Sequence, residues 1–166
     1  MSRVGILGTS SKDTTATANT LRHPQSGFPF LREWTMNILI ADDHEMVRRG
    51  LREILVDELP GACISEGEDG NEVLSQLATR EYDMLLLDIN MPGRNGLDVL
   101  RDVRGIYPLL PVIIISVQPE EQYATRCLRA GAAAYINKNH APEKLALETR
   151  KILGHKQSRT SSTEWT

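Results

Sequence analysis

Asn37-Ile38-Leu39-Ile40-Ala41-Asp42-Asp43 is the stretch that decides the fold. Ile38 to Ala41 is apolar at every position, so a strand built from it has no polar face and must be covered on both sides. Two carboxylates follow at once. The same form recurs at 63–66, 84–87, 112–116 and 133–136, each short and mostly apolar or β-branched. Between these runs the apolar spacing changes to that of helices. Val47, Leu51, Ile54 and Leu55 share one helical face, as do Val73, Leu74, Leu77 and Ala78. Leu97, Leu100 and Val103 form a third stripe and Tyr123, Cys127 and Leu128 a fourth. Leu145, Thr149 and Ile152 form a weaker fifth. Buried strands alternating with helices predict an α/β fold, a doubly wound five-stranded parallel sheet covered by helices on both faces.

The patterned region runs over 36–153, and the sequence around it differs. Residues 1–35 are rich in Ser, Thr, Gly and Pro without a sustained period, and read as a disordered extension, with Met36 itself a candidate start. Residues 154–166 are polar and patternless, and read as a disordered tail. The whole chain has 166 residues and a formal net charge of −3. The leader carries +2 and the tail +1, so the patterned domain carries −6. An acidic domain of this kind does not hold nucleic acid by its overall field. No apolar run approaches the length of a membrane span, and Val4 to Leu7 is too short for the apolar core of a secretion signal. Cys63 and Cys127 form no CxxC and have no histidine cluster beside them, so they read as two buried thiols in a reducing compartment. The phosphate-cradling GxGxxG turn is absent, which excludes a dinucleotide site of that type.

Ligands of doubly wound sheets bind outside the carboxyl ends of the strands. At those ends stand Asp42 and Asp43 after the first strand, Asp88 after the third, Ser116 at the end of the fourth and Lys138 after the fifth. With strand one central and strand three beside it, three carboxylates, a hydroxyl and an ammonium converge. Clustered carboxylates repel and need a cation. Hard oxygens without a His or Cys cluster suit Mg²⁺. An Asp carboxylate can serve as nucleophile towards a phosphoryl group, with Lys and Ser sharing the charge of the transferred oxygens. Each residue taken singly has a plainer role. Asp42 and Asp43 could cap the helix that starts near His44, and Asp88 could shape the turn before Pro92-Gly93. Ser116 could be an N-cap and Lys138 a solvated surface residue.

The region from Met36 to Leu153 resembles the receiver domain of bacterial two-component response regulators of the NarL/FixJ type. The matching stretches are Ile40-Ala41-Asp42-Asp43-His44, Asp88-Ile89-Asn90-Met91-Pro92-Gly93-Arg94-Asn95-Gly96, Ile115-Ser116, and Ala130 through Lys138. The resemblance implies a flavodoxin-like sheet of order 2-1-3-4-5. It implies that Asp88 is the phosphoacceptor, that Asp43 binds Mg²⁺ directly and Asp42 through water, and that Asn90 offers the metal its backbone carbonyl. Lys138 would pair with the phosphoryl group and Ser116 would hydrogen-bond it. Tyr135 would be the aromatic that swings inward when Ser116 moves. The side chains of Asn90 and Gln118 would tune hydrolysis of the acyl phosphate, and Lys138-Asn139 would be joined by a cis peptide. The implied partners are a sensor histidine kinase or phosphotransfer protein, with a homodimer on phosphorylation, and without membrane or direct nucleic-acid contact. The implied place is the cytoplasm.

Only 13 residues follow Leu153, too few for the helix-turn-helix module that usually follows a NarL/FixJ-type receiver. The expectation is therefore a stand-alone receiver, a truncated DNA-binding transcriptional regulator or a fragment. A pseudo-receiver, the same fold acting as an interaction module without phosphorylation, is a second reading that the full set of five site residues disfavours. A haloacid-dehalogenase-like phosphatase would need its nucleophile after the first core strand, with an acid two positions on. Here Asp88 follows the third strand and the residue two on is Asn90, which cannot transfer that proton. The chain is thus expected to catalyse its own phosphorylation and dephosphorylation and no other reaction.

Overall fold

A computed structural model describes residues 36–160. The leader 1–35 and residues 161–166 lie outside the described residues, and so do the expectations placed on them. Five strands, β1 (Asn37–Ala41), β2 (Cys63–Gly67), β3 (Met84–Asp88), β4 (Val112–Ser116) and β5 (Ala134–Asn137), form one sheet. They alternate with helices α1 (Glu45–Glu58), α2 (Gly70–Thr79), α3 (Gly96–Ile106), α4 (Glu120–Arg129) and α5 (Ala141–Thr160). All pairings are parallel, and the strand order is β2-β1-β3-β4-β5. The predicted sheet and its order are those observed, and each strand lies within one residue of its predicted run.

The apolar runs explain the layering. Successive side chains of a strand point to opposite faces. Ile38 and Ile40 therefore pack with Leu51 and Leu55 of α1 and Leu145 of α5. Leu39 and Ala41 enter the other core, with Val73 and Leu77 of α2, Val99, Leu100 and Val103 of α3 and Cys127 of α4. Since β3 and β4 are buried at every position, burial cannot break their symmetry. The helices at their ends do so. Edge strand β2 is only half-buried, and this changes one expectation. Cys63, the first residue of that edge strand, is exposed, while Cys127 is buried; both are free thiols. The fourth stripe is likewise narrower than its sequence suggests, because Leu128 is exposed.

At the far end α5 runs past Leu153 to Thr160. The expectation of a tail without structure from 154 is corrected over 154–160. The segment lacks proline and contains Lys, Gln and Arg, good helix formers that continue a helix already nucleated by packing.

Candidate functional site

The site stands where the carboxyl ends of β1, β3, β4 and β5 meet. Pairing of β1 with β3 sets Ala41 beside Leu87, so the next residues, Asp42 and Asp88, emerge side by side. Asp42 is 1% exposed and Asp88 2%, values that a carboxylate tolerates only with a counter-charge or hydrogen bonds. Lys138 provides the charge. Its Nζ lies 3.0 Å from Asp88 Oδ2 and 2.6 Å from Asp42 Oδ2. Burial pulls the Lys138 ammonium down, but the hydrogen bonds and charges of Asp42 and Asp88 outweigh it and hold the group above the ordinary lysine value. Lys138 is therefore an ion at neutral pH, and it is not the solvated surface residue of the plainer reading.

The backbone places the other carboxylate oxygens. Asp42 Oδ1 accepts from His44 N at 2.8 Å, and Asp88 Oδ1 accepts from Asn90 N at 3.2 Å. The helix-capping role considered for Asp42 and Asp43 is not the one observed. The N-cap of α1 is His44, without a side-chain cap bond. Asp43 is partly exposed, and its Oδ1 lies 2.7 Å from His44 Nδ1. Ser116 is fully buried, and its Oγ accepts at 3.2 Å from the N–H of Gln118, which directly precedes Pro119, the N-cap of α4.

Gly96 brings α3 against this edge. Its N–H donates to Ile89 O at 3.0 Å, and a Cβ at this position would lie 2.7 Å from Ile89 Cα and overlap the carbonyl oxygen of Asp88. Asn95 caps α3, accepting from Leu97 N at 2.8 Å. Only glycine lets the helix start this close to the strand end that carries Asp88.

Tyr135 lies inward and is 6% exposed. Its hydroxyl donates to Gln118 O at 2.9 Å, and Asn137 Nδ2 donates to the same carbonyl at 2.9 Å. Burial pushes the phenol up, opposed by Ser116, so it stays a neutral donor. Gln118 is thus tied to the site through its backbone, between Ser116 and Tyr135, and its side chain is half-buried. Asn90 is exposed at the mouth. The Lys138–Asn139 bond expected to be cis is trans. A cis bond before a non-proline residue costs about 3 kcal/mol, and the turn is already fixed by Asn137 Oδ1, which accepts from Asn139 N at 3.0 Å.

Sequence reasoning missed Arg48. It is 6% exposed, donates from Nη1 to Asp42 O at 2.7 Å, and pairs with Glu66 at 3.1 Å and Glu68 at 2.8 Å. Burial opposes its charge, but the two carboxylates keep its pKa above the ordinary arginine value. The signal was an Arg set three residues before Leu51 on a face that is otherwise apolar.

The cluster has the properties of a cation site. Ligand atoms of Asp42, Asp43, His44 and Asp88 all lie within 4.8 Å of one another. Asp42 Oδ2 and Asp43 Oδ1 are buried oxygens. Their near neighbours are Lys138 Nζ, 2.6 Å from Asp42 Oδ2, and His44 Nδ1, 2.7 Å from Asp43 Oδ1. Three carboxylates against one ammonium leave an excess of negative charge that a divalent cation balances.

The fold and this edge place the chain among doubly wound α/β proteins with an acidic, cation-ready site at the switch point of the sheet. More narrowly, it belongs to the response regulator receiver domain family, whose model matches residues 38–150. It is 35% identical over 108 residues to the transcriptional regulatory protein DegU of Brevibacillus brevis, covering 65% of this chain and 46% of that protein. To the response regulator UvrY of Escherichia coli K12 it is 32% identical over 117 residues, covering 70% of this chain and 54% of UvrY. The chain spans about half the length of these curated relatives. Among solved structures, the receiver domain of NtrX from Brucella abortus aligns with a TM-score of 0.65 at 29% identity, covering 70% of this chain and 98% of that one. A CheY-like receiver from Methanospirillum hungatei shares the fold, with a TM-score of 0.68 at 24% identity over 75% of this chain and 98% of that one. Among the described residues no helix is long and apolar enough to cross a membrane.

Proposed function

We propose that this chain is a phospho-accepting signalling receiver, and that Asp88 is its acceptor. The observation that carries the reading is Lys138 Nζ bridging Asp42 and Asp88, two buried carboxylates at adjacent strand ends. A carboxylate oxygen of Asp88 attacks the phosphorus of a phosphohistidine on a histidine kinase or phosphotransfer protein. The new P–O bond forms as the P–N bond breaks, and the imidazole leaves with its electron pair and takes a proton from solvent. Asp42, Asp43, Asp88 and the backbone carbonyl of Asn90 would hold Mg²⁺, which supplies positive charge to the transferring oxygens. Lys138 exchanges its contact with Asp88 for a phosphoryl oxygen, and the Ser116 hydroxyl turns to donate to another.

That turn releases Gln118 N, whose residue also anchors Tyr135 and Asn137. The bonds at one carbonyl couple the acceptor to the surface of β4, α4 and β5, which a partner or a second copy of the chain reads. The chain catalyses its own phosphorylation and dephosphorylation, acts in the cytoplasm, and touches neither membrane nor nucleic acid itself.

The test is intact-mass measurement after incubation with a small phosphodonor. Wild type with Mg²⁺ should gain one phosphoryl group, about 80 Da. The gain should vanish when Mg²⁺ is withheld and in Asp88→Asn. Wild type that gains no mass while Mg²⁺ is bound would instead support a receiver fold working as an unmodified interaction module.

A further inference from the structure

The four ligand atoms at the acidic edge are not all oxygens. His44 follows Asp43 directly, and its imidazole is 64% exposed at the mouth of the site. Its Nδ1 lies 2.7 Å from Asp43 Oδ1 and 3.3 Å from Asp42 Oδ1. Asp43 Oδ1 is a buried oxygen, and the imidazole is the nitrogen that stands beside it. Two atoms held that close have the spacing of neighbours in one coordination shell. Ligands about 2.0–2.1 Å from a metal stand about 3 Å apart at right angles and about 3.3–3.4 Å apart in a tetrahedron. The two observed separations lie close to these values.

We propose that His44 is an additional ligand at this site, and that it turns an oxygen site for hard cations into a mixed nitrogen–oxygen site that also takes borderline transition metals such as Ni²⁺ or Zn²⁺. The inference rests on the reading above that Asp42, Asp43 and Asp88 hold a divalent cation. Imidazole adds little for Mg²⁺, which prefers oxygen and keeps its waters. For Ni²⁺, Cu²⁺ and Zn²⁺ it is a favoured donor. His44 sits on the chain reversal between β1 and α1. Its backbone N–H is already held by Asp42 Oδ1, so its imidazole is aimed without ordering a new loop. A transition metal bound there would compete with Mg²⁺ for the same carboxylates.

The experiment is calorimetric titration of the full chain with Mg²⁺ and with Ni²⁺, separately and in competition, for wild type and His44→Gln. It is paired with the Cu²⁺ electron paramagnetic resonance spectrum of each protein. Because the His44 side chain is 64% exposed and makes no cap bond to α1, circular dichroism of the variant should match wild type. The expected result is one Ni²⁺ site that Mg²⁺ displaces, with a Ni²⁺-to-Mg²⁺ affinity ratio at least about tenfold lower in His44→Gln. Nitrogen hyperfine splitting should appear in wild type and weaken or vanish in the variant. An unchanged ratio, or Ni²⁺ that binds without competing with Mg²⁺, would overturn the role of His44 and leave the Mg²⁺ reading standing. Absence of Mg²⁺ binding in wild type would remove the parent reading, and this inference with it.

Discussion

Replacing Gly96 by alanine should weaken the protein, although alanine is the better helix former. Two effects oppose each other. Ala in place of Gly in a helix gains about 0.5–1 kcal/mol, mostly by restricting the unfolded chain. Against this, the new Cβ would overlap Asp88 O and lie 2.7 Å from Ile89 Cα. Both are backbone atoms and cannot rotate away, so α3 must retreat from β3. Overpacking of this kind costs about 1–3 kcal/mol. The retreat also stretches the 3.0 Å bond from Gly96 N to Ile89 O, a further cost of about 1 kcal/mol. The clash wins, with a net loss of about 1–3 kcal/mol. Gly50, in α1, has nothing within 4 Å of its would-be Cβ. The same substitution there should instead gain about 0.5–1 kcal/mol. The assay is urea unfolding of the full chain followed by far-ultraviolet circular dichroism. Since the displaced backbone is that of Asp88, Gly96→Ala should also slow phosphorylation by about tenfold or more, and Gly50→Ala should not. Equal stability of the two variants would refute the packing argument.

Three further outcomes follow from the ionisable and sulfur groups. Lys138→Met leaves Asp42 and Asp88 buried side by side without their counter-charge; with EDTA at neutral pH its stability should fall by about 3 kcal/mol, and Mg²⁺ should restore part of the loss. Unchanged stability in EDTA would show that the ion pair is not holding this edge. The Arg52 hydrogen bond, assisted by Arg48 and opposed by burial, holds the Glu66 carboxyl below its usual value. The stability it contributes is present above the ordinary glutamate pKa and is lost as pH falls through the folded value, so Glu66→Gln should show a shallower loss of stability on acidification. Cys63 should react with a thiol reagent in the native protein about a hundredfold faster than Cys127, which is buried and whose thiol is pushed up by desolvation. Equal rates would mean that α4 opens readily.

Much was legible in the sequence because its signals were local. An apolar run such as 84–87 has no polar face, and that alone requires a sheet covered on both sides. Asp42, Asp43, Asp88, Ser116 and Lys138 each end a strand or follow one, so reading strand ends was enough to find them. Arg48 was not legible. Its role depends on Glu66 and Glu68, which follow from a different strand end, and on the carbonyl of Asp42. The true N-cap of α1 was likewise hidden, since Asp42 prefers the His44 N–H within a turn to the first turn of the helix. The exposure of Cys63 needed the knowledge that β2 is an edge strand.

The sequence alone determined the alternation of strands and helices, the parallel sheet and the identity of the residues at its carboxyl edge. These depend on periodicity and on chain order, which a one-dimensional pattern records. Only the tertiary structure decided which of those residues touch. The Lys138 bridge between Asp42 and Asp88 and the inward position of Tyr135 on the Gln118 carbonyl each join residues from separate loops or strands. Distances across strand ends are fixed by register and by the close approach of α3 at Gly96, and neither is written in any single segment.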